Sequence, residues 1–200
     1  MKELPILQKV RLEASENIAI IRFTNAKERN PLSIEILEYL HGLLDDLIRQ
    51  EQLERIIFTG TENVFASGAN LREIAQVTGE TAREYAVRGQ TLMQKIEAAP
   101  QTVIAAVNGF CFGGALDLAL ACDTRIASRG ATFCHPGANL GIMTGWGGTQ
   151  RLPRLVGEAK ALEMFLTAKR VNADEAFQIN LIDEISDQPL TSAIHLVSGQ

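Results

Sequence analysis

The stretch NGFCFGGALDLALACD, residues 108 to 123, holds one carboxylate, Asp117, among alanines and leucines. An acid in apolar surroundings can do proton chemistry. Desolvation penalises its charged form and raises its pKa toward neutrality, where it can both take and give a proton. The adjacent glycines Gly113 and Gly114 supply a second ingredient. If Gly114 opens a helix, its N–H has no earlier carbonyl to bond, and the helix dipole there favours developing negative charge. The same dipole opposes the rise in the Asp117 pKa. A second small-residue loop, FASGAN from Phe65 to Asn70, follows a strand that ends at Gly60. One N–H from each loop would form an oxyanion hole. Two other readings stand beside this one: the loops are tight turns with glycine for steric reasons, and Asp117 is a first-turn capping acid.

The elements that must position these loops alternate between strand and helix. KVRLEASENIAIIRF reads as two alternating strands around a turn at Ser15–Glu16–Asn17. Ser33 is placed to cap a helix with Ile36, Leu37, Leu40, Leu43, Leu44, Leu47 and Ile48 on one face. Arg55 to Gly60 is a short buried strand, and TENVFASGANLREI reads as a polar loop anchored by Val64 and Phe65. Residues 80–98 are helical in pattern and Pro100 closes them. Residues 103–107 are a buried strand, TRIAS and ATFC two more. GWGGTQRLPRLVG is a glycine-led segment interrupted by Pro153, and EAKALEMFLTA a helix. Asn172 caps a short helix, Asn180 takes a left-handed position after it, and LIDEI is a last strand. The class is therefore α/β with right-handed crossovers. Strand–loop–helix units recur at 55–98 and 103–122, which favours a stacked or spiral arrangement. Both small-residue loops follow strand ends, where α/β proteins bind ligands.

Composition narrows the partners. Two hundred residues, 46% hydrophobic and 22% charged, suit one domain with a sizeable core. A net charge of -5 without a Lys/Arg cluster argues against nucleic acid. No apolar run reaches the ~20 residues of a membrane helix, and MKELPILQKVRLEAS lacks a signal-peptide core. Cys111, Cys122 and Cys134 show no CxxC spacing and read as reduced core residues of a cytoplasmic protein; with three scattered histidines, no metal site is expected. Neither glycine loop is a nucleotide fingerprint. His41 and His195 read as solvated, and Asp123 as a turn cap.

FASGANL, VIAAVNGFCFGGALDLALACDTRIAS, FCHPGANLGIMTGWGGTQRLPRLVG and EAKALEMFLTAKRVNADEAFQINLIDEI, in this order and spacing, resemble the enoyl-CoA hydratase/isomerase (crotonase) superfamily over roughly residues 10 to 185. The resemblance implies a crotonase-like spiral of stacked ββα units in one domain. It implies an acyl-CoA thioester substrate, with coenzyme A part of the substrate and no separate cofactor, and a homotrimer or dimer of trimers. By the same resemblance, the N–H groups of Ser67 and Gly114 form the oxyanion hole beside Gly113. Ala66, Gly68, Ala69, Asn70 and Leu71 line the pantetheine and adenine path.

The acid–base positions depart from the family pattern. The first of its two glutamates falls on Asp117 and the second on Gly137; a third place where relatives carry an acid offers only Thr144, Gly145 and Trp146. His135, two residues before Gly137, either replaces the lost acid–base group, in contact with substrate, or packs in its loop. Trp146 either walls the acyl pocket or simply packs. The family's C-terminal helices have no counterpart after SAIHLVSGQ, so a roof over the pocket falls to a neighbouring subunit or is absent. Three activities fit: hydration or isomerisation of an enoyl-CoA with Asp117 as acid/base; decarboxylation or hydrolysis of an acyl-CoA, needing chiefly the oxyanion hole; and acyl-CoA binding or assembly without catalysis.

Overall fold

The structure is a computed structural model that describes residues 8–15 and 17–196. The first seven residues of the N-terminal stretch, Glu16 of the expected turn and the last four residues lie outside it. In chain order the elements are β1 (Val10–Ala14), β2 (Ile18–Phe23), β3 (Pro31–Leu32), α1 (Ile34–Ile48), β4 (Arg55–Thr59), β5 (Val64–Ala66), β6 (Gly68–Ala69) and α2 (Leu71–Ile74). There follow α3 (Ala82–Glu97), β7 (Thr102–Val107), β8 (Phe110–Phe112), α4 (Gly114–Ala121), β9 (Thr124–Ala127) and β10 (Thr132–Cys134). The chain continues through α5 (Gly148–Val156), α6 (Glu158–Thr167), β11 (Val171–Asn172), α7 (Ala173–Gln178), β12 (Glu184–Ile185) and α8 (Pro189–His195).

The main sheet has the order β1-β2-β4-β7-β9-β12 and is parallel from β2 onward, with β1 antiparallel at its edge. Its central strands are apolar at consecutive positions because both faces are covered. Ile56 and Phe58 point into the large core with α1 and α3; Ile57, Ile104, Ala106 and Ile126 pack on the other side against Ala193 of α8. A second sheet, β11-β10-β8-β5, stands beside it, and β3 pairs with β6. Strand, short strand and helix thus repeat as β4-β5-β6-α3 and β7-β8-α4, the stacked arrangement that the recurring units predict.

Several local expectations hold for their stated reasons. Ile36 N–H donates to Ser33 Oγ at 3.3 Å, and the predicted face of α1 is buried. Glu175 N–H donates to Asn172 Oδ1 at 2.8 Å, and Asn180 takes φ +60°. The three cysteines are free and buried. Asp123 accepts the Val103 N–H at 2.8 Å, a structural brace. His195 is exposed.

Others need correction. The 61–74 loop contains β5, β6 and α2, and β8 lies inside the opening stretch; strands of two or three residues are too short to leave a period in the sequence. Pro153 does not interrupt α5 but lies within it. The C-terminal segment, left without an element, forms α8 and covers the second face of the sheet. His41 is not solvated: it is half-buried between α1 and α3, with Nε2 3.1 Å from the Arg88 carbonyl oxygen. Among the described residues no helix is long and apolar enough to cross a membrane.

Candidate active site

One cavity of about 330 Å³ opens where the two small-residue loops meet. Its wall comes from α2 and α3 (Leu71, Ile74, Ala82, Tyr85, Ala86), the start of α4, the loop after β10 (His135 to Trp146) and Phe165 of α6. Nearly all of it is apolar; the polar side chains that reach it are Ser67, Tyr85, Asp117, His135 and Thr144. An apolar cavity with a few convergent polar groups is the usual form of a small-molecule site.

Backbone contact between the loops makes the floor. Gly113 has φ +54° and ψ -125°, a conformation that L side chains resist, and its N–H donates to the Cys134 carbonyl at 2.8 Å. That turn leaves Gly114 as the first residue of α4, without an earlier carbonyl in reach of its N–H. Gly68, at φ +86°, lies directly against it: a Cβ there would stand 2.6 Å from Gly114 N and 2.5 Å from the Phe112 carbonyl oxygen. The bland steric reading of the glycines is therefore correct as far as it goes, and it is also what exposes the Gly114 amide to the cavity.

The loop at 66–71 behaves differently from the expectation. Ser67 lines the cavity, but its N–H donates to the Arg29 carbonyl at 2.9 Å, so this amide is not free to meet an oxyanion. Ala69 and Leu71 line the cavity, whereas Ala66 and Gly68 are buried behind it. Asn70 caps α2 by accepting the Arg72 N–H at 3.0 Å and does not reach the cavity wall. The loop's brace, missed by sequence reasoning, is Asn30. It is buried with φ +49°, and its Nδ2 donates to the carbonyls of Val64 (3.1 Å) and Phe65 (3.0 Å).

Asp117 is fully buried on α4 and faces the cavity. It does not cap its own helix. Thr144 Oγ1 donates to Oδ2, while Oδ1 makes no hydrogen bond and lies 3.7 Å from His135 Nε2. Burial pushes the Asp117 pKa up to about 7, against the opposing pull of the Thr144 hydroxyl, the nearby Trp146 and Gly148 amides and the Arg151 charge. His135 is equally buried; burial holds its pKa down to about 4, so the ring is neutral near pH 7. Neither ring nitrogen has a hydrogen-bond partner, and Phe165 packs at 5.0 Å between ring centroids.

Glycines also make room for the side chains. A Cβ at Gly148, which opens α5, would collide with Asp117 Oδ1. The Trp146 ring fills the space that side chains at Gly89 and Gly114 would need, and it contacts Tyr85 at 5.9 Å between centroids. Trp146 therefore both packs and walls the cavity. Gly137 lies in a 3-10 turn that closes on itself: its carbonyl accepts the Ile142 N–H at 3.0 Å, and a Cβ at 137 would collide with the Ile142 carbonyl oxygen. Thr144 and Gly148 were not singled out as site residues. Their only signal was their place in GIMTGWGGTQ, which reads as a glycine-led segment and a place without an acid.

Comparisons with known proteins agree with this geometry. The family model described as enoyl-CoA hydratase/isomerase matches residues 13–196. A crotonyl-CoA hydratase from Syntrophomonas wolfei is 38% identical over 191 residues, 94% of this chain and 74% of that protein. A short-chain-enoyl-CoA hydratase from Clostridium acetobutylicum is 35% identical over 180 residues, 90% of this chain and 69% of that protein. The crystal structure of an enoyl-CoA hydratase from Bacillus anthracis superposes with a TM-score of 0.89 at 34% identity, covering 94% of this chain and 75% of that one. With a family-model match over residues 13–196 and relatives 35% and 38% identical over 90% and 94% of its length, this chain belongs to the enoyl-CoA hydratase/isomerase family.

Proposed function

We propose that the chain hydrates a 2-enoyl-CoA thioester, or runs the reverse dehydration, through an enolate stabilised at the start of α4. Water oxygen bonds C3 as the water gives up one proton to a base of the site, the C2=C3 electrons move onto the thioester oxygen, and the enolate collapses as C2 takes a proton, which balances the one that water lost. The observation that carries the reading is Asp117, a fully buried acid facing an apolar cavity beside the unbonded Gly114 amide. A carboxyl whose pKa is about 7 can move a proton to or from C2 near neutral pH. The Gly114 N–H is one oxyanion donor. Because the Ser67 amide is taken by Arg29, the second donor falls to Ala69, which lines the cavity in the same loop.

Gly137 stands, in this reading, where the family's second carboxylate would be. The turn that closes over Gly137 leaves no space for a side chain there. The acyl chain lies along Leu71, Ile74 and Trp146, and the adenine end leaves past α2. Assembly as a homotrimer or dimer of trimers is supported by exposed Leu140, Ile142, Met143, Leu162 and Leu166, on a turn and a helix that pack together. A cytoplasmic location is supported by three free buried cysteines.

The test is mass spectrometry of products from a panel of enoyl-, hydroxyacyl- and malonyl-type CoA esters. Gain of one water by an enoyl ester, abolished in Asp117→Ala, is expected. Loss of carbon dioxide from a malonyl ester, unaffected by that change, would replace hydration with decarboxylation. Binding without any product would leave an acyl-CoA-binding subunit.

A further inference from the structure

Three histidines occur in the chain, and their surroundings differ. His195 is exposed and His41 has a carbonyl partner. His135 is buried to 3% side-chain exposure, faces the cavity, and has no partner on either ring nitrogen. A histidine buried for packing alone finds a hydrogen bond, because an unpaired polar atom in the interior costs stability. Facing His135 Nε2 is another unpaired atom, Asp117 Oδ1, 3.7 Å away. That gap is too long for a direct hydrogen bond, yet one oxygen atom could sit about 2.8 Å from both.

We propose that His135 is a second catalytic residue: its Nε2 takes a proton from the water that adds at C3, while Asp117 supplies the proton to C2. This rests on the enolate reading above. The proton count closes. Neutral His135 and protonated Asp117 begin with one proton between them. As the water oxygen bonds C3, its proton passes to Nε2 and the C2=C3 electrons move to the thioester oxygen. The enolate collapses, and C2 takes the Asp117 proton. His135-H⁺ then returns a proton to the Asp117 carboxylate through a water oxygen that bridges the 3.7 Å gap. Nothing is oxidised or reduced, and water is the only co-reactant. The surroundings leave this exchange to the pair: Thr144 holds the other carboxyl oxygen, Phe165 covers the ring, and Arg151 of α5 is the charge that acts on Asp117.

The test separates the two proton transfers. Wild type, His135→Gln and Asp117→Asn are incubated in heavy water. One set of reactions contains a short-chain 2-enoyl-CoA, followed for hydration; the other contains the saturated acyl-CoA, followed for deuterium at C2. In His135→Gln, hydration falls 100- to 10,000-fold, while C2 exchange falls less than tenfold; Asp117→Asn loses both. If His135→Gln folds poorly by circular dichroism, His135→Asn is measured in its place. Equal losses of hydration and exchange, or hydration within threefold of wild type, would overturn the assignment. Wild-type exchange without hydration would overturn it while leaving the enolate reading standing, and neither reaction would overturn both.

Discussion

Asp117 and Arg125 are both buried, ionisable and only eight residues apart, yet the chain treats them in opposite ways. Arg125, on β9, is fully engaged. Its guanidinium donates to the carbonyls of Leu181 (3.1 Å) and Cys122 (2.8 Å) and to Asp183 Oδ2 (2.8 Å), which also accepts the Arg125 amide. Asp117, on α4, has one oxygen held by Thr144 and the other left facing an unbonded histidine. A buried charge costs several kcal/mol to desolvate, and bonds on every side offset that cost. Around Arg125 the offset is complete, so the region is a brace between β9 and the segment before β12. Around Asp117 it is left open on the side that faces the cavity. Burial alone therefore does not distinguish these two charges; their hydrogen bonds do.

The sharpest way to break this comparison is to remove each group in turn. Asp117→Ala should cut turnover about 100- to 10,000-fold in the product assay. Full activity in that variant would place Asp117 with the structural charges. Arg125→Leu should do the reverse. It should lose about 3–5 kcal/mol of stability in urea unfolding by stranding Asp183 and the carbonyls, while the turnover of the folded fraction stays near wild type.

A third experiment uses pH. In the unfolded chain a carboxyl titrates at about 3.9 and a histidine at about 6.5. Between pH 4 and 6.5 the unfolded chain thus holds one proton on His135 and none on Asp117. The folded chain, with Asp117 raised to about 7 and His135 lowered to about 4, holds one on Asp117 and none on His135. The proton counts are equal, and this pair adds no slope to wild-type stability over that window. Asp117→Asn leaves a folded state with fewer protons than the unfolded one. Its stability should rise with pH from 4 to 6.5, by about 1.4 kcal/mol per unit. His135→Gln leaves the folded state with more, and its stability should fall as pH rises from 4 to 7. Urea unfolding at three pH values distinguishes them, and parallel slopes in both variants would show that the pair does not exchange one proton. The smallest effect is expected at another satisfied polar group. Asn108 accepts from Gly60 N–H and donates to the carbonyls of Glu62 and Val64; Asn108→Ala should cost about 1–3 kcal/mol in the same unfolding assay.

What the sequence made legible follows the range of each signal. The face of α1, the Ser33 and Asn172 caps and the strands of the main sheet rest on local periodicity or on one side chain bonding a neighbour. Asp117 stood out because a lone acid in an apolar helix is locally odd. Three features could not be read. The two- and three-residue strands β5, β6 and β8 have no period. The Ser67 amide looked free because its acceptor, Arg29, is thirty-eight residues away. The approach of His135 to Asp117 spans eighteen residues, with Thr144 and Gly148 arriving from further along the chain. In each case the partner is supplied by the fold, and one member of a pair carries no mark of the other.

Trp146 is the only tryptophan in the chain, and its ring is held between Gly89 and Gly114 at the edge of the cavity. The chain therefore carries one built-in fluorophore, with no background from other indoles, resting against Gly114 at the start of α4. Emission excited at the indole band reads the filling of this cavity directly, so acyl chains of different length can be ranked by titration without a label and independently of turnover.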